Sequence, residues 1–290
     1  MVQSEEKYCP TLDLNSGHKM PAIGLGTFLN KTNVTEMVRA ALVDYNYTHI
    51  DCAKVYENEE DVGKGLKEAF DAGIKREDIF ITSKLWHDDK GKVEEAVDAC
   101  LKRLGLEYLD LYLIHWMQPD MEVTDNEIKV KSPPLHVYWK AMEECVKKGK
   151  IRSLGVSNCT VPILLDLFAG AEIKPSVNQV EAHPYFAQSN VLKWHQKLGV
   201  VITAYATVGS GHYEGAAHVH KDVSLLSEPV IAEIAAKNGK SSAQVCINWA
   251  VQRKTIALVK TTKAERLGEN HNAFRFTLDE EDLKKIEALD

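Results

Sequence analysis

Hydrophobic and polar positions along the chain alternate between two periods. Short β-branched runs fall at Ile23–Gly26, Thr48–Asp51, Ile79–Ser83, Leu109–His115, Ile151–Val156, Ser176–Glu181, Val200–Tyr205 and Ile256–Lys260. Between them lie stretches with helical apolar spacing, such as Val34–Val43, Glu57–Phe70, Lys92–Leu104, Leu135–Lys148 and Ser189–Leu198. Strands that alternate with helices imply a parallel sheet with crossover helices. Eight such units most simply close into an α/β fold of the (β/α)8 TIM barrel type. An open doubly wound sheet is the alternative, but it announces itself with GxGxxG after its first strand. The segment Gly24-Leu25-Gly26-Thr27-Phe28 does not complete that motif.

Two pieces fall outside the eight units. Residues Thr11–Pro21 predict a short β-hairpin turning at Asn15-Ser16-Gly17, placed to plug the barrel's amino end. Asp279–Leu289 predicts a terminal helix. Two polar connections, Gln118–Pro134 and Gly209–Ser227, are long enough to suggest function, and both follow strands, which puts them on the C-terminal face. With no linker between the units, 1–290 reads as one barrel domain.

Composition narrows the class. The 290 residues are 44% hydrophobic and 27% charged, ordinary for a soluble globular protein. A net charge of −7 and a pI near 5.9 argue against broad nucleic-acid binding, which needs a basic footprint. Cys9, Cys52, Cys100, Cys145, Cys159 and Cys246 form no CxxC pair and no metal-ligand cluster, so they read as reduced thiols of a cytoplasmic protein. The start, MVQSEEKYCP, has no apolar signal core, and no apolar run approaches the ~20 residues of a membrane helix.

Candidate chemistry gathers at the strand ends. Tyr56 follows Asp51 in Asp51-Cys52-Ala53-Lys54-Val55-Tyr56, Lys84 closes Ile81-Thr82-Ser83-Lys84, and His115 closes Leu111-Tyr112-Leu113-Ile114-His115. Catalytic groups of such barrels sit at the carboxyl ends of strands. A phenol is a poor acid near neutrality, and an adjacent ammonium lowers its pKa. Buried Lys84 needs a carboxylate, which Asp51 supplies, and His115 can hydrogen-bond a carbonyl oxygen. Together the four can deliver a proton to a carbonyl oxygen. Taken singly, each has an ordinary structural role: a rim tyrosine, a solvated lysine, a satisfied core histidine.

A second cluster follows the last strand, in Leu258-Val259-Lys260-Thr261-Thr262-Lys263-Ala264-Glu265-Arg266. Lys260, Thr261 and Arg266 suit a phosphate, a known habit of barrels after strands seven and eight. The alternative is an exposed basic turn capped by Thr262. Glu269 and Asn270 lie one turn further on and would reach an adenine.

These residues resemble the aldo-keto reductase family over nearly the whole chain, most closely aldehyde and aldose reductases. Asp51-Cys52-Ala53 with Tyr56, Glu59 and Gly63 is similar to one family signature, and Leu154-Gly155-Val156-Ser157-Asn158 to a second. Lys260-Thr261 with Arg266 and Glu269-Asn270 is similar to a third. Ser83-Lys84-Leu85-Trp86, His115-Trp116, Gln179-Val180-Glu181-Ala182-His183-Pro184-Tyr185 and Thr203-Ala204-Tyr205 also fit. The resemblance implies that Tyr56 is the general acid, tuned by Lys84 paired to Asp51, and that His115 orients a small carbonyl substrate. It places Thr27 and Phe28 at the nicotinamide end of a bound NADPH, Tyr205 stacked on the nicotinamide ring, and Ser157, Asn158 and Gln179 on its carboxamide. Asp51 also falls in this cofactor set. Gly209 and Ser210 would begin a loop over the pyrophosphate. Lys260, Thr261 and Arg266 would hold the 2′-phosphate, Thr262 also belongs to the cofactor set, and Glu269 with Asn270 would hold the adenine. Trp86, Trp116 and Tyr213 would complete an aromatic pocket wall with Tyr56 and His115. Two cations favour a 2′-phosphate, hence NADPH over NADH. Family members that reduce steroid double bonds carry glutamate at the His115 position, so this chain resembles a carbonyl reductase.

Departures from the family pattern concern the pocket and the cofactor loop. Ala206-Thr207-Val208-Gly209 replaces the usual Ser-Pro-Leu-Gly, and losing the proline predicts a loop of different stiffness. Val259 replaces a proline before Lys260, Phe28 a pocket tryptophan, and Cys159 an aromatic. The chain stops at Asp290, where typical members continue with a tail that closes one wall of the pocket. An ending there would leave the pocket open.

The leading expectation is thus a monomeric NADPH-dependent reductase of aldehydes, ketones or sugars. A non-catalytic NADP(H)-binding structural or regulatory protein of the same fold is the alternative, opposed by the intact Asp51, Tyr56, Lys84 and His115. A metal-dependent barrel hydrolase lacks a clustered ligand set.

Overall fold

The computed structural model describes residues 9–209 and 224–290. A hairpin of β1 (Thr11–Asp13) and β2 (Lys19–Pro21) comes first. Eight parallel strands follow: β3 (Ile23–Gly26), β4 (His49–Asp51), β5 (Phe80–Leu85), β6 (Leu109–Ile114), β9 (Ile151–Ser157), β10 (Val177–Glu181), β11 (Val201–Tyr205) and β12 (Ile256–Val259). They close in that order, β12 pairing back onto β3. The barrel expected from the alternation is therefore present, and the open sheet is excluded.

The crossover helices are α1 (Val34–Val43), α2 (Glu59–Asp71), α3 (Val93–Leu104), α4 (Leu135–Lys147), α5 (Val161–Gly170) and α6 (Ser189–Leu198), then α7 (Pro229–Asn238) and α8 (Ser242–Gln252) in succession before β12. The short α9 (Glu265–His271) and the terminal α10 (Glu280–Glu287) follow. Local chemistry explains the ends. Ser241 and Gln244 form a reciprocal capping box at α8, and Glu228 caps α7 ahead of Pro229. Packing is close where α2 meets α3: a Cβ at Gly63 would sit 2.5 Å from the Arg103 carbonyl, so only glycine lets the helices approach.

The hairpin plugs the barrel's amino end as its position predicts. Leu14 and Met20 are buried against Phe80, Leu111, Leu113, Val177 and Ile256. Asn15 Nδ2 donates to the Pro175 carbonyl at 2.9 Å, and Ser176 Oγ donates to Asn15 Oδ1 at 2.5 Å. The hairpin thus covers the amino end of the barrel core, and Asp51, Lys84 and His115 lie at the opposite ends of their strands.

The connection after β6 holds structure that its polarity concealed, a ribbon of β7 (Met121–Val123) and β8 (Ile128–Val130). The other long connection lies largely outside the described residues, as do Ser210 and Tyr213. All six cysteines are buried free thiols. Among the described residues no helix is long and apolar enough to cross a membrane.

Candidate active site

Asp51 ends β4 and Lys84 is the penultimate residue of β5, and the ladder sets Asp51 beside Thr82. Alternation along the strands turns both side chains into the barrel, where both are buried. The Lys84 ammonium has three hydrogens and meets three acceptors: Asp51 Oδ1 at 2.5 Å, the Cys52 carbonyl at 3.0 Å and the Tyr56 hydroxyl oxygen at 3.1 Å. The second Asp51 oxygen accepts from Gln179 Nε2 at 2.8 Å. Tyr56 sits not on a strand but at the end of a 3-10 turn, Lys54–Tyr56, that leads from β4 into α2. Because Lys84 donates to the phenol oxygen, the phenol's own proton remains available to another acceptor.

His115 follows β6 directly. Its amide donates to the Leu85 carbonyl at 3.1 Å, and its carbonyl accepts from Asn158 Nδ2 at 3.0 Å. Its ring stands edge-on to Tyr56, centroids 5.7 Å apart, and edge-on to Trp86 at 5.1 Å. Nδ1 of His115 is buried with no hydrogen-bond partner among the described residues. Burial, then the charge of Lys84 and the neighbouring His87, holds its pKa down at about 2. The imidazole is therefore neutral at every physiological pH, suited to hydrogen-bond a carbonyl rather than to ionise.

Lys84 acts on Tyr56 in the direction expected, but burial acts against it. Burial pushes the phenol up to about 12, while Lys84 pulls the other way and is outweighed. Lys84 keeps its charge: burial opposes it, yet Asp51 and then Tyr56 outweigh that cost and hold its pKa above the ordinary value.

Around this centre, Thr27 is buried and its hydroxyl donates to the Asp51 carbonyl at 3.0 Å. Phe28 lies against Tyr56, ring centroids 4.9 Å apart. Ser157 Oγ donates to the Gln179 carbonyl at 2.8 Å, and Tyr205 donates to Asn158 Oδ1 at 2.9 Å. Trp116 is half-exposed at the rim and Trp86 partly buried. Two contacts escaped the sequence reading. Gln179 fixes the far side of Asp51, and Asn58 Nδ2 donates to the Thr27 and Asn30 carbonyls at 2.9 and 3.0 Å, holding the loop that carries Phe28.

The second cluster also assembles. Lys260, Thr261, Arg266, Glu269 and Asn270 line one cavity of about 340 Å³, together with Val208, Leu226, Ser241, Ser242, Ala243 and Val259. Lys260 lies just beyond β12 rather than within it. Thr262 is not among the lining residues; its carbonyl accepts from Asn33 Nδ2 at 3.0 Å. Among the described residues neither Lys260 nor Arg266 makes an ion pair. Two unpaired cations facing one cavity fit a multiply charged anion such as a phosphate. A larger cavity, about 700 Å³, opens at the amino face beside Lys19, Asp110 and Arg152, and its lining includes none of the candidate acid–base groups.

The geometry and the sequence point the same way. The model of the Aldo/keto reductase family matches residues 19–290. The chain belongs to the aldo/keto reductase family. Membership makes it an oxidoreductase acting on carbonyl compounds. An NADP-dependent D-sorbitol-6-phosphate dehydrogenase of Malus domestica is 40% identical over 97% of this chain and 94% of its own. Aldo-keto reductase family 1 member A1 of Rattus norvegicus is 40% identical over 95% of this chain and 88% of its own. The aldose reductase structure from Schistosoma japonicum superposes with a TM-score of 0.87, at 35% identity, over 96% of this chain and 91% of that one.

In this aldo/keto reductase the loop after Tyr205 is held by its own hydrogen bonds. Thr207 is buried, and its hydroxyl donates to the Ala204 carbonyl at 2.9 Å. Ala206 takes a left-handed conformation at φ 53°, and the Gly209 amide closes the turn onto its carbonyl at 2.7 Å.

Proposed function

We propose that this chain is a monomeric, cytoplasmic, NADPH-dependent reductase of aldehydes and ketones, aldoses among them, formed by one barrel domain over its 290 residues. Tyr56 is the proton donor. The observation that carries the reading is the Lys84 ammonium donating to the Tyr56 hydroxyl oxygen while paired with Asp51. That arrangement leaves the phenolic proton directed elsewhere and stabilises the phenolate that remains after its transfer.

The nicotinamide cofactor, when bound, supplies hydride to the carbonyl carbon. The chain's residues do the rest. The neutral ring of His115 stands edge-on to Tyr56 and orients the carbonyl oxygen. Tyr56 transfers its proton to that oxygen as negative charge develops on it. Gln179 keeps Asp51 in place, so the buried ammonium retains its partner throughout. Trp86 and Trp116 form the apolar wall that sorts substrates, with Tyr56 and His115 at its base.

For the cofactor, Thr27, Phe28 and Asp51 would border the nicotinamide end, Ser157, Asn158 and Gln179 would hold the carboxamide, and Tyr205 would stack on the ring. Gly209 and Ser210 would lie beside the pyrophosphate. Lys260, Thr261 and Arg266, with Thr262 adjoining, would hold the 2′-phosphate, and Glu269 and Asn270 the adenine. The unpaired state of Lys260 and Arg266 supports NADPH over NADH, as does the NADP-dependent relative from Malus domestica.

The test is loss of NADPH absorbance with a panel of small aldehydes, run beside Tyr56→Phe. The parent turns over. Removing the general acid costs at least ~100-fold in turnover while NADPH affinity changes little. Equal turnover in the two would remove Tyr56 from the mechanism, and cofactor binding without turnover on any aldehyde would favour a non-catalytic binding protein.

A further inference from the structure

Lys90 follows the 3-10 turn His87–Asp89, beyond β5 and Trp86. It is 1% exposed, among the largest fully buried side chains of the protein. A buried ammonium ordinarily has a carboxylate partner. This one has none within ion-pair distance among the described residues. Asp88 and Asp89, beside it in sequence, are engaged by Lys54, and Asp89 also by Lys92. Lys90 Nζ instead donates to two main-chain carbonyls, that of Trp116 at 2.9 Å and that of Gln118. The ring of Tyr138 on α4 lies beneath it, 5.2 Å from Nζ to centroid. Among the described residues no other hydrogen bond holds the main chain of residues 116–118.

We propose, resting on the carbonyl-reductase reading, that Lys90 is a positioning residue for substrate selection. It ties the loop after β5 to the chain leaving His115, and so sets the Trp116 wall of the pocket. His115 itself is pinned on both sides, by Leu85 and by Asn158, so the proton-transfer geometry does not depend on this tie. What depends on it is the wall one residue further along. The expected signature is a change in KM for substrates long enough to touch Trp116, with kcat and small substrates spared.

The charge of Lys90 is also poised to change. Burial lowers its pKa to about 8, partly opposed by Asp120 from the loop after β6. From α4 the facing group is Tyr138, pushed up to about 12 by burial, hence neutral. From its own turn, Asp88 and Asp89 face Lys54. Above about pH 8 the ammonium loses a proton and its charge–dipole attraction to the two carbonyls, and the wall loosens.

The experiment compares Lys90→Met with the parent on an aromatic aldehyde and on propanal, across pH 6.5 to 9.5. Loss of the tie raises KM for the aromatic aldehyde about tenfold at pH 7 and leaves propanal within about twofold. In the parent, the aromatic KM climbs as pH passes 8; in Lys90→Met it is flat. Hydrogen exchange of the cofactor-free protein quickens at the Asp120 amide, which donates to Ser132 just beyond the tie, in the variant and nowhere in the barrel strands. A parallel loss on both aldehydes, or no change in exchange, overturns the proposal. If Lys90→Met does not fold, the parent's pH profile decides: a KM rise confined to the aromatic aldehyde upholds the tie and a flat profile overturns it. A parent without turnover on either aldehyde defeats the carbonyl-reductase reading instead, and the exchange measurement still judges Lys90.

Discussion

The two polar clusters of this barrel are built on opposite logics. Around Tyr56 every charge is answered from within the protein: Lys84 by Asp51, Asp51 by Gln179, and all of it buried. Around Lys260 and Arg266 the cations are exposed and, among the described residues, unanswered, arrayed on a cavity. A self-satisfied cluster holds its geometry with the site empty, which suits proton transfer, where placement matters to fractions of an ångström. An unsatisfied cluster holds affinity in reserve for a ligand that brings the missing charge. The difference predicts that damage to the first is felt in stability and chemistry together, and damage to the second in binding alone.

The largest break in that comparison is Lys84→Met. It strands the buried Asp51 carboxylate, and removing one partner of such a pair costs about 3–5 kcal/mol. For a chain of this size that is a Tm lowered by roughly 10 °C, with turnover abolished in the same protein. Differential scanning calorimetry checks it. A Tm within about 2 °C of the parent would mean that Gln179 alone satisfies Asp51.

Lys260→Ala with Arg266→Ala is the complementary break. These exposed residues carry no ion pair among the described residues, so the Tm should hold, while Kd for NADPH rises on the order of 100-fold, about the worth of two charge-assisted contacts. Kd for NADH should move by less than about threefold. Titration of protein fluorescence with each cofactor measures both, and equal weakening would remove the 2′-phosphate from this cavity.

pH separates the clusters without mutation. His115 is held down at about 2 and Tyr56 up at about 12, so neither changes charge between pH 5 and 9, and kcat for reduction should be flat there. A phosphate monoester takes up a proton near pH 6. Its grip by Lys260 and Arg266 should weaken below that pH, so KM for NADPH rises on the acid side while kcat does not. An inflection in kcat near 6.5 would mean that His115 titrates during turnover.

How far these clusters could be read from the chain also differs between them. The gathering of Asp51, Lys84 and His115 was legible because β-branched runs locate strand ends, and parallel strands of one barrel end on one face. Lys260, Thr261 and Arg266 were legible because they lie within seven residues of one another. The support of Asp51 by Gln179 was not, since it joins residues 128 positions apart across the barrel. The net direction of the Tyr56 shift was not legible for a related reason. The residue types named the lysine that lowers it, but only the fold shows how completely burial opposes that charge. The β7–β8 ribbon had a signal, the alternation of Met121 with Val123 and of Ile128 with Val130. Its residues are exposed on both strands, so no burial contrast reinforced so short a period.

The smallest effect tests the segment that joins the clusters. Tyr205 at one end is hydrogen-bonded to Asn158, and Val208, three residues on, lines the Lys260 cavity. Between them Thr207 donates its hydroxyl to the Ala204 carbonyl. Thr207→Val keeps the shape and removes the donor, a loss of about 1 kcal/mol and a Tm shift of roughly 2–4 °C. If the bond does no more than stabilise, the NADPH dissociation rate stays as it was. If it sets the register between the nicotinamide end and the phosphate cavity, NADPH leaves a few-fold faster while NADH, which does not engage the two cations, is unaffected. Stopped-flow displacement of each cofactor distinguishes the two outcomes, and a faster exit of NADPH alone would show that the clusters, though built on opposite logics, are held in register by one buried hydroxyl.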